Sequence, residues 1–351
     1  MHRRVLRDPD TLMGGRLTSE WQSEVSRWRS RSAGASSSCV PISVSRLARR
    51  SAVDARHVPV RRALLILSVA AALLVWSWVV ASPGSGWDAH VYWSTSLSHP
   101  YASSAAGNPG AYLYSPVFRQ IIEPLTLLPW PLFRAIWVGL LLGAIVLLAG
   151  PFTILLLVNP LVLFELQAGN IHTLLALAIV AGFRHPAAWA FVFLTKVTPG
   201  VGILWFLIRR EWRSLAIAVG ATALVAGLSF VLAPALWVTW VHSLVSNAAI
   251  PASDYTGLIF GPLWLRAPVA IGIVIWGALT NRRWTVPVAA TAAIPLLALF
   301  NLTLLIAVVP LVLPRAASFR WNSWLLPEEG HEPMSDRVSA WRVVAARPGA
   351  K

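Results

Sequence analysis

The chain has 351 residues, of which 56% are hydrophobic and only 12% are charged. Soluble globular domains carry roughly 25% charged residues, so the composition excludes an ordinary soluble protein and indicates a membrane protein with several spans. The net charge of +15 does not indicate nucleic-acid binding. Thirteen arginines precede residue 63, and the apolar body has only ten basic side chains, mostly at predicted helix ends.

Residues 1–57 form the first predicted segment. They are rich in Arg, Ser and Gly and show no sustained apolar period, which predicts a disordered basic tail in the cytoplasm. An Arg-rich leader is also compatible with an organelle transit peptide, although five acidic residues weaken that alternative. A third alternative is that translation starts downstream of residue 1.

The membrane-embedded domain is predicted to cover residues 58–314. Its first span is residues 63–81, about 19 residues, which is enough to cross a hydrocarbon core of about 30 Å. Six arginines directly before it place the N-terminus inside and the next loop outside. Within that loop, residues 116–128 are apolar but interrupted by polar side chains, which predicts an amphipathic helix along the outer interface.

Later apolar runs predict an all-α polytopic bundle of about eight to ten transmembrane helices. The remaining runs are residues 132–149, 152–166, 171–183, 215–232, 257–279, 286–300 and 302–313. A second outer loop is predicted at 233–256, and the last two spans are predicted to turn at Asn301. Residues 315–351 predict a disordered cytoplasmic tail.

The apolar run at 187–208 predicts a hairpin of two half-length helices. Arginines flank both of its ends, so a single crossing would place one basic cluster outside. Lys196 and Pro199 interrupt the run midway, where a charge and a helix breaker coincide. A hairpin that returns to the inner side removes this conflict, because irregular backbone at membrane depth is tolerated where it lines a cavity.

Asp88 is the leading candidate for a general base. It follows the first predicted span by a few residues, where a carboxylate is readily hydrated and able to accept a proton from an acceptor hydroxyl. The alternative is a solvated loop aspartate that pairs with an interfacial arginine.

Lys196 is the leading candidate for binding a phosphate. An ammonium group partway into a membrane has to be paired or lie in a wet cavity, and lysine serves well as a point-charge phosphate ligand. The alternative is a side chain that snorkels to the interface. Arg119 and Arg266 are further candidates for the donor phosphate, and interfacial anchoring is the alternative for Arg266.

Several other polar and aromatic side chains are candidates for substrate binding. Glu165, near the end of a span, requires a partner, for which Lys196 and Arg119 are the candidates. Side chains at a polar helix break can bind sugar hydroxyls or satisfy backbone groups, and an outer tryptophan can stack on a sugar. The candidates are Trp87, His90, Tyr92, Tyr114, Gln167, Asn170 and His172. The sequence shows no metal-ligand spacing, so no metal is predicted.

Taken in order, these motifs resemble glycosyltransferase family 87, the polyprenyl-phosphate-mannose-dependent α-mannosyltransferases and their relatives, which are common in actinobacteria. The resemblance covers residues 63–314. The motifs are WD at 87–88 with Tyr92, YLYSP at 112–116, QAGN at 167–170, KVTP at 196–199, RREWR at 209–213 and NRRWTVP at 281–287.

This resemblance implies a GT-C fold and a polyprenyl-phosphate sugar donor, with no further cofactor. It carries the catalytic base over to Asp88 and the Lys-x-x-Pro hairpin over to Lys196 and Pro199. Two departures stand out. The second proline of the tyrosine motif is Val117 here, and the late outer turn, where some members place a catalytic histidine, holds Asn301.

The expected reaction is inverting transfer of a hexose, with mannose favoured, to a lipid or glycan hydroxyl. The enzyme is expected in the plasma membrane with both termini cytoplasmic and the site outside. Its expected partners are the donor, the acceptor and membrane lipids, without nucleic acid. A transporter or flippase for a lipid-linked sugar and a catalytically silent membrane scaffold are the alternatives.

Overall fold

The computed structural model describes residues 42–102, 110–248 and 261–313. The chain divides into two compact units, residues 1–60 and 61–351. Every regular element among the described residues is helical, which confirms the all-α prediction.

Fourteen α-helices, numbered here in chain order, lie within the described ranges. They are α1 Ile42–Ala81, α2 Trp87–Ser94, α3 Pro116–Thr126, α4 Trp130–Ala149, α5 Thr153–Leu157, α6 Pro160–Ala168, α7 His172–Gly182, α8 Trp189–Thr195, α9 Leu204–Ile208, α10 Trp212–Leu232, α11 Pro234–Ala248, α12 Leu263–Leu279, α13 Thr285–Ala292 and α14 Val308–Val312. Short 3₁₀ segments at Gly150–Phe152, Pro186–Ala188, Thr198–Ile203 and Leu299–Ala307 precede α5, α8, α9 and α14.

Among the described residues, three helical segments are long and apolar enough to cross a membrane: Val60–Ala81, Trp130–Leu157 and Trp212–Leu232. The pair α6 and α7 is bent by 105° at residues 169–171 and makes a fourth if it counts as one broken span. The prediction of eight to ten spans also included shorter apolar runs. Within the described ranges, shorter apolar helices of 10–17 residues lie at Pro186–Thr195, Thr198–Ile208, Leu263–Leu279 and Leu299–Val312.

Four segments differ from the sequence-based expectation. The helix α1 begins at Ile42, because the good helix formers Ala and Arg recur through residues 42–58, which contain no glycine or proline. Residues 234–248 form α11 in place of a loop. Of residues 286–300, only those up to Ala292 are α-helical. The 3₁₀ segment Leu299–Ala307 runs through Asn301, where the sequence predicts a turn. The expected tails at 1–41 and 315–351 and the loop residues 249–256 lie outside the described residues.

The segment 187–208 forms two short helical halves, as its charge pattern predicts. The halves meet at Lys196, whose backbone is extended and ends α8. A Cβ atom on Gly200 would overlap the ring of Phe193, and one on Gly202 would overlap Trp189. Residues before and after Lys196 therefore pack in antiparallel order, and the two glycines permit this close approach.

The helix α3 has one buried side and one exposed apolar side. Val117, Phe118 and Ile122 are buried, while Ile121 is 58% exposed. This two-sided pattern suits the predicted interfacial helix, whose depth in the membrane stays a prediction.

Candidate active site

The helix α2 is held against the break between α6 and α7. The backbone N–H of Gly86 donates to the carbonyl of Gln167 at 2.5 Å. Gly169 ends α6 in the left-handed region with φ of 71°, and a Cβ atom there would lie 2.6 Å from the Cβ of Ala89. Trp137 donates from Nε1 to the Gly169 carbonyl at 2.7 Å. The segment that follows the first membrane-length helix is thereby fixed to the polar break.

This docking brings Asp88 to Asn170. Asn170 Nδ2 donates to Asp88 Oδ2 at 2.6 Å, and Asn170 Oδ1 accepts from the backbone N–H of Ile171 at 2.7 Å. The second bond fixes which end of the amide faces the carboxylate. Burial raises the pKa of Asp88, against the opposing effects of the Asn170 hydrogen bond and the positive charge of Lys196.

Behind this pair lies a fully buried carboxylate, Glu165. One of its oxygens accepts the backbone N–H of His172 at 2.8 Å. The imidazole Nδ1 of His172 lies 3.1 Å from the other oxygen. Both side chains have no exposed surface, so each depends on the other for a hydrogen bond.

The second ring nitrogen of His172 faces two donors. Its Nε2 lies 2.7 Å from Lys196 Nζ and 2.9 Å from Asn301 Nδ2. The amide of Asn301 is oriented by the backbone N–H of Ala298, which donates to its Oδ1. Ammonium and amide nitrogens only donate, so Nε2 accepts and the single ring proton is on Nδ1, facing Glu165. The imidazole is therefore neutral.

Lys196 also borders a pair of tyrosines. Its Nζ lies 5.9 Å from the ring centroid of Tyr114, within the range of a cation–π contact. The hydroxyls of Tyr114 and Tyr92 share a hydrogen bond of 2.7 Å. Burial raises the pKa of both tyrosines, so both stay neutral hydroxyls. The cluster thus unites a carboxylate, an ammonium and neutral hydrogen-bonding groups.

Three predicted substrate residues lie at the border of this cluster. Trp87 is 44% exposed and packs edge-on against Phe164 at 5.3 Å between ring centroids. His90 is exposed and lies against the rings of Trp93 and Trp130. Gln167 contributes its backbone carbonyl to the docking of α2.

Two predicted phosphate ligands have partners within the protein, and their role at the donor phosphate stays a prediction. Arg119 is buried, donates from Nε to the Thr95 carbonyl at 2.9 Å and forms an ion pair with Glu123. The guanidinium of Arg266 donates to four backbone carbonyls at 2.6–2.8 Å, those of Gly261, Ala292, Ile294 and Pro295. The carbonyls of Ala292, Ile294 and Pro295 lie at and just after the end of α13, where helical partners are missing, and that of Gly261 lies just before α12. Neither arginine contacts Asp88 or Lys196 in the described part of the chain.

Two members of the cluster were not identified from the sequence in their observed roles. Glu165 was expected to pair with Lys196 or Arg119, but its partner is His172. Asn301 was left without a role, and it donates to the same imidazole. The only sequence signal for either residue is a polar side chain in an apolar run, which does not name a partner. Within the described ranges, no group of three or more His, Cys, Asp or Glu residues is placed to hold a metal ion.

One comparison with known proteins gives a match. The family model described as glycosyltransferase family 87 matches residues 112–314, more than half of the chain. That range contains Tyr114, Glu165, His172, Lys196 and Asn301 and begins after Asp88. No curated protein and no solved structure gives a significant match.

Proposed function

Because the chain belongs to glycosyltransferase family 87, and so is a membrane glycosyltransferase, we propose that it transfers a hexose from a polyprenyl-phosphate donor. The proposed acceptor is a hydroxyl of a lipid or glycan. Mannose as the sugar rests on the resemblance of the motifs around Asp88, Tyr114 and Lys196 to the mannosyltransferases of this family.

The observation that carries the proposal is the placement of Asp88 and Lys196 in one polar cluster. Asn170 holds Oδ2 of Asp88, and among the described residues no hydrogen bond occupies Oδ1. Asp88 is half-buried, and its raised pKa makes the ionised carboxylate a stronger base than an exposed aspartate. The Oδ1 atom of Asp88 is therefore available to accept the proton of an incoming hydroxyl.

The proposed step is a single inverting displacement. Asp88 accepts the proton of the acceptor hydroxyl while the hydroxyl oxygen forms a bond to the anomeric carbon. The bond from that carbon to the phosphate oxygen breaks, and its electron pair leaves with the polyprenyl phosphate. Lys196 stabilises the negative charge that develops on this leaving group. We propose no metal, because the ammonium supplies the positive charge.

Charge distribution supports a site on the outer side of the plasma membrane, with both termini cytoplasmic. His172 begins α7, and the 11-residue helix is about 16 Å long. At its far end, Phe183 lies under the guanidinium of Arg283 at 5.7 Å. Arg209 joins the ends of α9 and α12 through the Ala278 carbonyl. Arginines therefore gather a helix length away from the polar cluster, as the positive-inside rule predicts for a cytoplasmic end.

Asp88→Asn tests the proposal in membranes supplied with radiolabelled polyprenyl-phosphate mannose and candidate acceptors, with the product identified by mass spectrometry. General-base removal is expected to lower the transfer rate by about 100-fold or more. Glu211→Gln is the matched control, because it makes the same carboxylate-to-amide change at a residue paired with Arg209. Transfer at the wild-type rate by the Asp88 variant would rule out this base.

The same membranes separate the rival functions. A bent helix pair such as α6 and α7 also occurs in transporters. Movement of the donor lipid across the membrane without any sugar transfer would support a flippase. Absence of both activities would support a scaffold.

A further inference from the structure

The buried pair of Glu165 and His172 has no part in the reaction proposed above. A buried carboxylate beside a buried imidazole is costly unless each has a specific hydrogen-bond partner. The two residues lie on either side of the Gly169 break. The Nδ1 atom of His172 faces Glu165, and its Nε2 atom contacts the Lys196 ammonium, which is proposed to stabilise the leaving phosphate.

The direction of each hydrogen bond shows what the imidazole does. Glu165 accepts from the backbone N–H of His172 and lies against Nδ1, which fixes the ring plane and its tautomer. Asn301, in the 3₁₀ segment Leu299–Ala307, donates to Nε2. The single lone pair of Nε2 is shared between this amide and the Lys196 ammonium, whose Nζ lies 2.7 Å away.

Lysine requires such an anchor because its ammonium lies at the end of a flexible four-carbon stem. The negative charges of Glu165 and Asp88 both act on Lys196. Among the described residues, however, no ion pair joins Lys196 to Asp88; its hydrogen bond goes to the uncharged His172. The ammonium is thereby kept off the carboxylate that has to act as base.

We propose that His172 is a positioning residue: Glu165 and Asn301 hold its neutral imidazole so that Nε2 fixes the Lys196 ammonium where the donor phosphate leaves. This inference rests on the proposed function, because it takes the phosphate as the group that Lys196 meets. It gives Glu165 and Asn301 a role through His172 and not through the substrate.

Two amide substitutions separate this role from a purely structural one. The carboxamide oxygen of glutamine reaches roughly the position of Nε2, while the amide nitrogen of asparagine reaches roughly the position of Nδ1 and can donate to Glu165 as that atom does. His172→Gln therefore keeps an acceptor for Lys196, and His172→Asn keeps only the contact with Glu165. We expect His172→Asn to lower kcat about tenfold or more and to raise the KM for the donor, with the acceptor KM unchanged. His172→Gln should stay within about threefold of the wild type.

The inference would be overturned if His172→Asn were as active as His172→Gln or more active. The imidazole would then act by stabilising Glu165 and not by holding Lys196. Thermal unfolding in detergent identifies a variant that fails to fold. In that case His172→Met, which has similar length and no strong acceptor, replaces the asparagine variant, with the same expected loss.

A second measurement does not depend on activity. The chain has only two lysines, Lys196 and Lys351, so competitive labelling with an amine-reactive acylating reagent can be read at each site by mass spectrometry. Loss of the acceptor in His172→Asn removes a group that favours the ammonium form. The labelling rate of Lys196 relative to Lys351 should therefore rise about tenfold in this variant and stay near the wild-type value in His172→Gln.

The two readouts distinguish the possible failures. If the wild-type protein transfers no sugar, the proposed function fails, and the labelling ratio alone decides whether His172 holds Lys196. If transfer occurs but neither the kinetics nor the labelling differs between the glutamine and asparagine variants, only the positioning role fails.

Discussion

The Nε2 atom of His172 lies 2.7 Å from the Nζ atom of Lys196, although the two residues are 24 positions apart and belong to different broken helices. His172 is the first residue of α7, and Lys196 directly follows α8. Two interruptions of apolar helices therefore meet in space. Each break places a polar side chain where a continuous helix would have continued its apolar surface, and their meeting creates the polar cluster.

Lys196→Met should abolish most of the transfer. The substitution keeps the length of the side chain and removes the positive charge that is proposed to stabilise the leaving phosphate. Removing one electrostatic stabiliser of a transition state typically costs about 100-fold or more in rate. The rate of sugar transfer at saturating donor is the measurement. Arg209→Met, at the opposite end of the hairpin, is the control, and an equal loss in both variants would contradict a specific role for Lys196.

The pH profile should show an acidic limb above the range of an ordinary aspartate. Burial raises the pKa of Asp88, and the base is active only when ionised. Transfer is therefore complete above this pKa and is lost as the pH falls through it. Measuring kcat/KM for the acceptor against pH locates the limb. A limb in the usual aspartate range near pH 4 would contradict the role of burial.

Asn170→Ala should move the same limb further upward. The Asn170 hydrogen bond favours the ionised form of Asp88 and lowers its pKa. Its removal therefore leaves the raising effect of burial less opposed, and the loss of activity on acidification begins at a higher pH. The wild type is measured in the same buffers. A limb that moves to lower pH would show that Asn170 does not bond the carboxylate in the membrane.

The sequence revealed the positions of the polar residues better than their partners. Asn170, His172 and Lys196 stand out because a polar side chain in an apolar run is costly and needs a reason. Asp88 stands out because it follows the first predicted span by a few residues. Partner choice depends on how the breaks meet, and Asn301 reaches His172 across 129 positions. No local pattern encodes such a contact.

Helix lengths were predictable only where the apolar run is uninterrupted. The spans starting near residues 63, 130 and 212 appear as long helices. Shorter runs with proline, such as 286–300, were read as spans because hydropathy does not show where the backbone leaves the helix. Arg266 shows the same difficulty. Its charge predicts a phosphate ligand, and the sequence does not show that its guanidinium donates to carbonyls at and after the end of α13.

Arg266→Met should destabilise the fold without a specific effect on the donor. The variant leaves four backbone carbonyls without the donor they have now. The bond to Ile294 is fully buried, and an unsatisfied buried group costs about 1–3 kcal/mol. A lower midpoint of thermal unfolding in detergent is expected, while the donor KM of the folded fraction stays at the wild-type value. A raised donor KM with unchanged stability would instead support the phosphate-binding role expected from the sequence.

Gly169→Ala should separate α2 from the polar break and so impair catalysis through Asp88. The φ of 71° at Gly169 is unfavourable for alanine, and the added Cβ would lie 2.6 Å from that of Ala89. The backbone has to shift, which moves Asp88 away from Asn170 and is expected to lower kcat by about 100-fold, as a misplacement of about 1 Å can. Gly220→Ala in α10 is the matched control, because open space surrounds that glycine and alanine favours the helix. Equal activity in the two variants would show that the docking of α2 does not position the base.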